Sequence, residues 1–202
     1  MAEVDLVIRG GTVVDGSGGA PKKADVAIDK GVIVAVGEIR EKGREEIDAS
    51  GLLVTPGWVD IHTHYDGQVT WDSRMTPSSI HGSTTVVMGN CGVGFAPVRK
   101  ADHDRLIRLM EGVEDIPGAA LHEGLSWNWE SFADYMDAVE QLPHDVDVAL
   151  QVPHGAVRVY VMGERGAKRE AATDDEVAEM RDIVRDAIKA GAIGFPTSRT
   201  VA

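Results

Sequence analysis

Two histidines two positions apart, His62 and His64, close the stretch Thr55-Pro56-Gly57-Trp58-Val59-Asp60-Ile61-His62-Thr63-His64. Val59, Asp60 and Ile61 read as a short buried strand after a Pro-Gly turn, and in a strand alternate side chains share a face. Both imidazoles are then expected to point the same way. Two neutral imidazoles side by side can grip one divalent cation, and a borderline ion such as zinc favours nitrogen ligands. The plainer alternative is a polar strand end with two unrelated histidines. Cys91, the single cysteine, ends the next strand-like run, where a thiolate could join the two imidazoles around a metal. Gly89 and Gly92 flank it and allow a tight turn with close backbone approach. A lone cysteine can equally be a small buried hydrophobe.

The elements that must hold these groups follow from the periodicity. Up to about residue 54 the chain reads as short strands and turns. Leu6-Val7-Ile8 runs into Gly10-Gly11 and then Thr12-Val13-Val14, and Asp29-Lys30-Gly31 makes a hairpin turn between Asp25–Ile28 and Val32–Val36. Ile47 and Leu52-Leu53-Val54 follow a charged, glycine-containing link. A β-module of about fifty residues is small for a self-sufficient core and is expected to lean on something else. After Pro56 the pattern changes to strands alternating with helices. Strands are expected at Val59–His62, Thr84–Met88, Val146–Val152 and Ala192–Phe195. Helices are expected at Asp104–Glu111, Trp129–Leu142 and Asp174–Ala190, the last with a Thr173/Glu176 capping box and Gly191 as its stop. Its apolar face would be Val177, Met180, Val184, Ala187 and Ile188. Alternation of this kind implies parallel strands covered by helices. His62, His64 and Cys91 all fall at C-terminal strand ends, where α/β barrels put their chemistry.

Further polar residues surround this position in the sequence. Asp60 shares the histidines' face and could orient an imidazole, or could make a structural hydrogen bond at the barrel floor. Asp66 follows the histidines and could line the mouth of the site. Asn90 could contribute its amide or simply shape the turn. His154 and Arg158 follow the third strand in what reads as a loop, either facing the site or hydrogen-bonding to each other. His81, His103, His122 and His144 read as surface or structural residues, and Trp127 and Trp129 as packing residues.

Composition narrows the partners. The chain has 202 residues, with 33 acidic and 20 basic side chains for a formal charge of −13. That disfavours nucleic acid, whose binders need a basic face. No apolar run approaches a membrane span, and the acidic start Met1-Ala2-Glu3-Val4-Asp5 lacks the features of a secretory signal, so a cytoplasmic location is expected. One cysteine permits no intrachain disulfide.

The order of β-module, Pro-Gly-Trp-Val-Asp-Ile-His-Thr-His and α/β units resembles the amidohydrolase superfamily. Thr84–Pro97, with Gly89-Asn90-Cys91-Gly92 its most specific part, resembles the N-acyl-D-amino-acid deacylase branch, as do Glu123–Trp129 and His154–Arg158. The resemblance covers nearly the whole chain. It implies an α/β fold, the first half of a metal-dependent (β/α)8 barrel preceded by a small β-sandwich module built from both chain ends. Residues 1–55 would be the sandwich part and residues 56–202 the first four β/α units.

The resemblance further implies Zn2+ held by His62, His64 and Cys91, with more ligands downstream. The cysteine would stand where other members use a carboxylated lysine, in keeping with the absence of lysine from Thr197-Ser198-Arg199-Thr200. Histidines after the fifth and sixth strands, groups for the substrate carboxylate, and an acid/base aspartate after the eighth strand would all lie beyond Ala202. The implied activity is hydrolysis of a non-peptide amide bond, N-acyl-D-amino-acid deacylation, on a small N-acyl amino acid. A cyclic amidase of dihydroorotase or hydantoinase type is the enzymatic rival, against which Cys91 and the missing lysine argue. A non-catalytic metal-binding fragment is the other. The 202 residues alone are expected to be inactive and poorly folded, with the missing C-terminal half or a second chain covering the open side.

Overall fold

A computed structural model of the chain describes residues 3–114 and 116–197. The expected fourth-strand loop from Ser198 onward lies outside the described residues. The chain divides into two compact units, Met1–Gly57 and Trp58–Ala202.

In the first unit, β1 (Glu3–Val13) runs antiparallel to β2 (Lys22–Asp29), which pairs antiparallel with β3 (Val32–Gly37). β4 (Lys42–Asp48) and the short β5 (Leu53–Val54) lie parallel to β1. Gly10 and Gly11 do not separate two strands, as the sequence suggests. They form an irregularity inside β1, where the register against β2 shifts between Ile8 and Gly11. A Cβ on Gly11 would come 2.4 Å from Val54 Cγ2, so the close approach of β5 requires glycine there. Lys30 and Gly31 both adopt positive φ (51° and 75°), the geometry that a two-residue hairpin turn needs. The core here is small: Val7, Ala27 and Ile39, with Val4 packed against them.

Where the sequence reads a charged link, β4 is a true strand. Its side chains are exposed on both faces, so it carries no alternation to detect. Main-chain pairing and ion pairs to β1 hold it instead, Arg9 Nη2 reaching Glu46 Oε1 at 2.8 Å and Arg44 Nη1 reaching Asp5 Oδ1 at 3.0 Å.

The second unit has a parallel sheet, β6 (Trp58–Asp60), β7 (Ser83–Met88) and β8 (Asp147–Leu150), in that order. Its helices are α1 (His103–Glu114), α2 (Gly118–Gly124), α3 (Phe132–Glu140), α4 (His154–Met162), α5 (Glu164–Ala167) and α6 (Asp174–Ala190). The core joins Val86 and Met88 of β7 and Leu150 of β8 to Leu106, Ile107 and Met110 of α1, Phe132 and Tyr135 of α3 and Val157 of α4. Trp129 is buried, as a packing residue should be, and its indole N–H donates to Phe95 O at 2.8 Å. No helix among the described residues is long and apolar enough to cross a membrane.

Several expectations need correction. β6 is shorter than expected and is not buried: Val59 is 56% exposed, and Ile61 just past its end 73%, because among the described residues β6 pairs with β7 alone. The histidines lie beyond its end. Residues 192–195 form no strand. They make a single parallel bridge, Gln151 to Gly194, backed by Ile193 N–H to Leu150 O and Val152 N–H to Gly194 O. Pro196, without an N–H, cannot extend the ladder. α3 starts at Phe132 rather than Trp129, because Ser131 and Asp134 form a reciprocal capping box that the apolar stripe does not reveal. α6 keeps its expected bounds and its Thr173/Glu176 box. Of its apolar face, however, Ala187 is buried and Met180, Ile183 and Val184 pack on the core, whereas Val177 and Ile188 are exposed.

Candidate metal centre

Backbone hydrogen bonds carry the histidine segment past the end of β6. Thr63, between the two histidines, is buried and turned the other way. Its N–H donates to Val87 O at 3.0 Å and its hydroxyl to the same oxygen at 2.8 Å. With Thr63 pinned to the end of β7, the flanking imidazoles converge, their ring centroids 5.4 Å apart. The alternation expected of a strand is thus held past the strand's end by this anchor.

The Gly89–Gly92 turn after β7 delivers the thiol. Three of its four residues have positive φ: Gly89 at 85°, Cys91 at 54° and Gly92 at 71°. Left-handed backbone is uncommon for a non-glycine residue, and its surroundings must hold it. A Cβ on Gly89 would fall 2.1 Å from Gln151 O, so only glycine lets the turn lie against the end of β8.

The outcome is compact. Cys91 Sγ lies 3.3 Å from His62 Nε2, and one donor atom from each of His62, His64 and Cys91 falls within 4.8 Å of the others. Among the described residues they are the one group of three or more His, Cys, Asp or Glu side chains so placed. Around tetrahedral zinc, with bonds of about 2.0–2.1 Å to nitrogen and 2.3 Å to sulfur, ligand nitrogen and sulfur stand roughly 3.6 Å apart. The donor set and its spacing therefore suit a zinc-type ion. Burial, and then the neighbouring His62, push the His64 pKa below its ordinary value, which favours the neutral imidazole that a metal needs.

The remaining candidates take definite positions. Asn90 is buried and joins three strand ends: its amide N–H group donates to Thr63 O at 3.2 Å and Val87 O at 2.9 Å, and its Oδ1 accepts from Gln151 Nε2 at 3.0 Å. Asp60 Oδ2 accepts from the Ser78 hydroxyl at 2.8 Å, and its Oδ1 accepts from the His62 backbone N–H at 3.4 Å. Tyr65 Oη lies 3.0 Å from the same Ser78 hydroxyl. Asp66 is buried, and its main-chain oxygen accepts from Tyr135 Oη at 2.7 Å. Burial, and then the Asp66 charge, raise the Tyr135 phenol well above its usual pKa.

His154 and Arg158 are not in a loop: both lie on α4. Nor does Arg158 serve as a partner for His154, since its Nη2 donates to Glu170 O at 2.7 Å. Both line a cleft of about 470 Å³ with Cys91, Leu109, Val159 and Arg169. Burial, and then Arg158, lower the His154 pKa. Thr63, Ser78 and Gln151 escape the sequence reading. Thr63 could have been found from its place between the two histidines; Ser78 and Gln151 carry no local signal.

The amidohydrolase family model matches residues 45–201, and the chain belongs to that family. Within it the likeness runs to the deacylase branch. D-aminoacylase of Alcaligenes xylosoxydans xylosoxydans is 38% identical over 194 residues, which is 96% of this chain and 37% of that protein. A solved structure concerned with the binuclear metal centre of D-aminoacylase superposes with a TM-score of 0.81 at 36% identity, covering 96% of this chain and 38% of that one. The N-acyl-D-glutamate deacylase of Bordetella bronchiseptica, solved with zinc and a phosphonate inhibitor, gives 0.76 at 31% identity, over 97% of this chain and 38% of its own. The chain thus spans less than two-fifths of the length of the relatives it matches.

Proposed function

We propose that His62, His64 and Cys91 hold a divalent cation of zinc type, and that the protein to which this chain belongs hydrolyses the amide bond of N-acyl-D-amino acids. The observation that carries the proposal is the convergence of two imidazoles and one thiol within 4.8 Å at the ends of two parallel strands. The zinc in the N-acyl-D-glutamate deacylase structure supports the choice of ion. The proposed architecture follows the family: Trp58–Ala202 as the first β/α units of a barrel, and Met1–Gly57 as part of a β-sandwich.

When bound, such a cation polarises an amide carbonyl and lowers the pKa of water from about 15.7 towards 7. The chain's own residues prepare the place. Burial disfavours the charged form of His64, Thr63 sets the direction of both rings, and the left-handed turn aims the thiol. Asp60 is engaged by Ser78 and the His62 amide, and Asp66 is enclosed against α3, so neither is assigned as the carboxylate that moves the proton. Its cleft gives His154 and Arg158 a place beside the thiol for binding part of a small acyl amino acid.

The test is amine release from N-acetyl-D-amino acids, their L enantiomers and a cyclic ureide, with zinc content measured alongside. D-selective release by the zinc-bearing protein supports the proposal. Ring opening of the ureide without cleavage of the D substrates overturns the substrate class.

A further inference from the structure

The third parallel strand supplies no donor to the centre, yet its end touches the residue that precedes the thiol. Gln151, just beyond β8, hydrogen-bonds through its backbone N–H to Met88 O at 3.0 Å and through its side-chain amide to Asn90 Oδ1 at 3.0 Å. The carbonyls around Asn90 fix how its amide is turned. Thr63 O and Val87 O can only accept, so its NH2 group must face them and its oxygen faces the Gln151 amide. One buried amide thus ties the peptide between the two histidines to the residue before Cys91.

This link lies where geometry is hardest to keep. Cys91 has a φ of 54°, a conformation its own side chain does not favour. Strained backbone persists only where surroundings over-determine it. Gln151 O closes on Gly89 from one side, and the Asn90 amide draws the turn toward Thr63 from the other.

We infer that Asn90 and Gln151 are positioning residues for the metal centre, setting the spacing between the Cys91 thiolate and the imidazoles of His62 and His64. The end of the third strand then governs how tightly a cation is held, without touching it. The inference rests on the metal reading above. It goes beyond that reading in assigning affinity to two neutral amides.

The test titrates the full chain with Co2+, reading the thiolate-to-cobalt charge-transfer band, and measures Zn2+ affinity by competition with a chelator. Gln151→Met keeps length and removes the donor. Asn90→Asp keeps shape and turns an acceptor toward two carbonyls. Metal-free circular dichroism and thermal melts check that each variant folds. Partners outside the ligand set typically change metal affinity by about 10–100-fold. The expected result is a loss in that range for both variants, with a weaker band per bound cobalt. Wild-type affinity within twofold and an unchanged band would overturn the inference while leaving the metal reading intact. Absence of the band from the wild type would remove the metal reading, and the inference with it. If Asn90→Asp does not fold, Gln151→Met decides alone.

Discussion

Cys91 Sγ stands 3.3 Å from His62 Nε2 across a separation of 29 residues. That spacing is close to the ligand-to-ligand distance of a tetrahedral zinc site, roughly 3.6 Å. A thiol and an imidazole at this separation are placed as two ligands of one cation would be.

Cys91→Ala should therefore abolish most metal-linked stabilisation. A ligand that binds only the folded state at a hundred times its Kd adds about 2.7 kcal/mol. Thermal melts with and without zinc should show a rise in Tm for the wild type and little for the variant. Equal zinc-induced shifts would mean that the thiol is not a ligand.

Gly89→Ala should be far more damaging than an alanine at Gly18. Both have left-handed φ, 85° and 81°, which alone costs a non-glycine residue about 1–2 kcal/mol. At Gly18 a Cβ meets nothing within 4 Å, whereas at Gly89 it strikes Gln151 O at 2.1 Å. Denaturant melts should show Gly18→Ala near that backbone cost and Gly89→Ala well above it, with loss of zinc retention only in the latter.

Tyr135→Phe probes the support under the histidine segment. The fully buried phenol donates to Asp66 O at 2.7 Å from 69 residues away. Depriving a buried carbonyl of its donor costs about 1–3 kcal/mol. Urea unfolding should show a loss in that range. A change below a few tenths would indicate that the carbonyl finds another donor.

The first unit should show a carboxylate-linked pH dependence. The Gly10 amide, opposed in part by burial, and then the Arg9 guanidinium hold the Asp25 pKa below its usual 3.8. A carboxylate with a depressed folded pKa contributes stability above its unfolded value, and that contribution is lost as pH falls through the folded one. Asp25→Asn should thus cost about 1 kcal/mol at neutral pH, and the difference from wild type should shrink below about pH 4. A gap that stayed constant to pH 2 would assign the effect to packing.

What could be read from the sequence was what residue type and local spacing record. His62, His64 and Cys91 stood out because few side chains bind soft or borderline cations. α6 stood out because Thr173 and Glu176 make a cap that a local pattern betrays. β4 did not, because a strand exposed on both faces has no reason to alternate. α4 was obscured by Pro153 and Gly155 at its start. The segment around Gly194 looked like a strand from its apolar residues, but a ladder needs consecutive pairing, and Pro196 interrupts it. Asn90 could be read as a candidate from its place beside Cys91, but Gln151 could not, because a hydrogen bond spanning 61 residues leaves no periodic trace.

The left-handed backbone at Cys91 also bears on which substitutions this turn could accept over time. Among residues with a side chain, asparagine and aspartate enter that region most readily. Aspartate would keep the turn and replace a soft sulfur by a hard oxygen. With both imidazoles kept, such a change turns a site away from copper(I) and toward iron(II), zinc remaining acceptable to both donor sets. The conformation of one residue thus leaves open a short mutational route between two classes of cation, while most other replacements must first pay for the backbone.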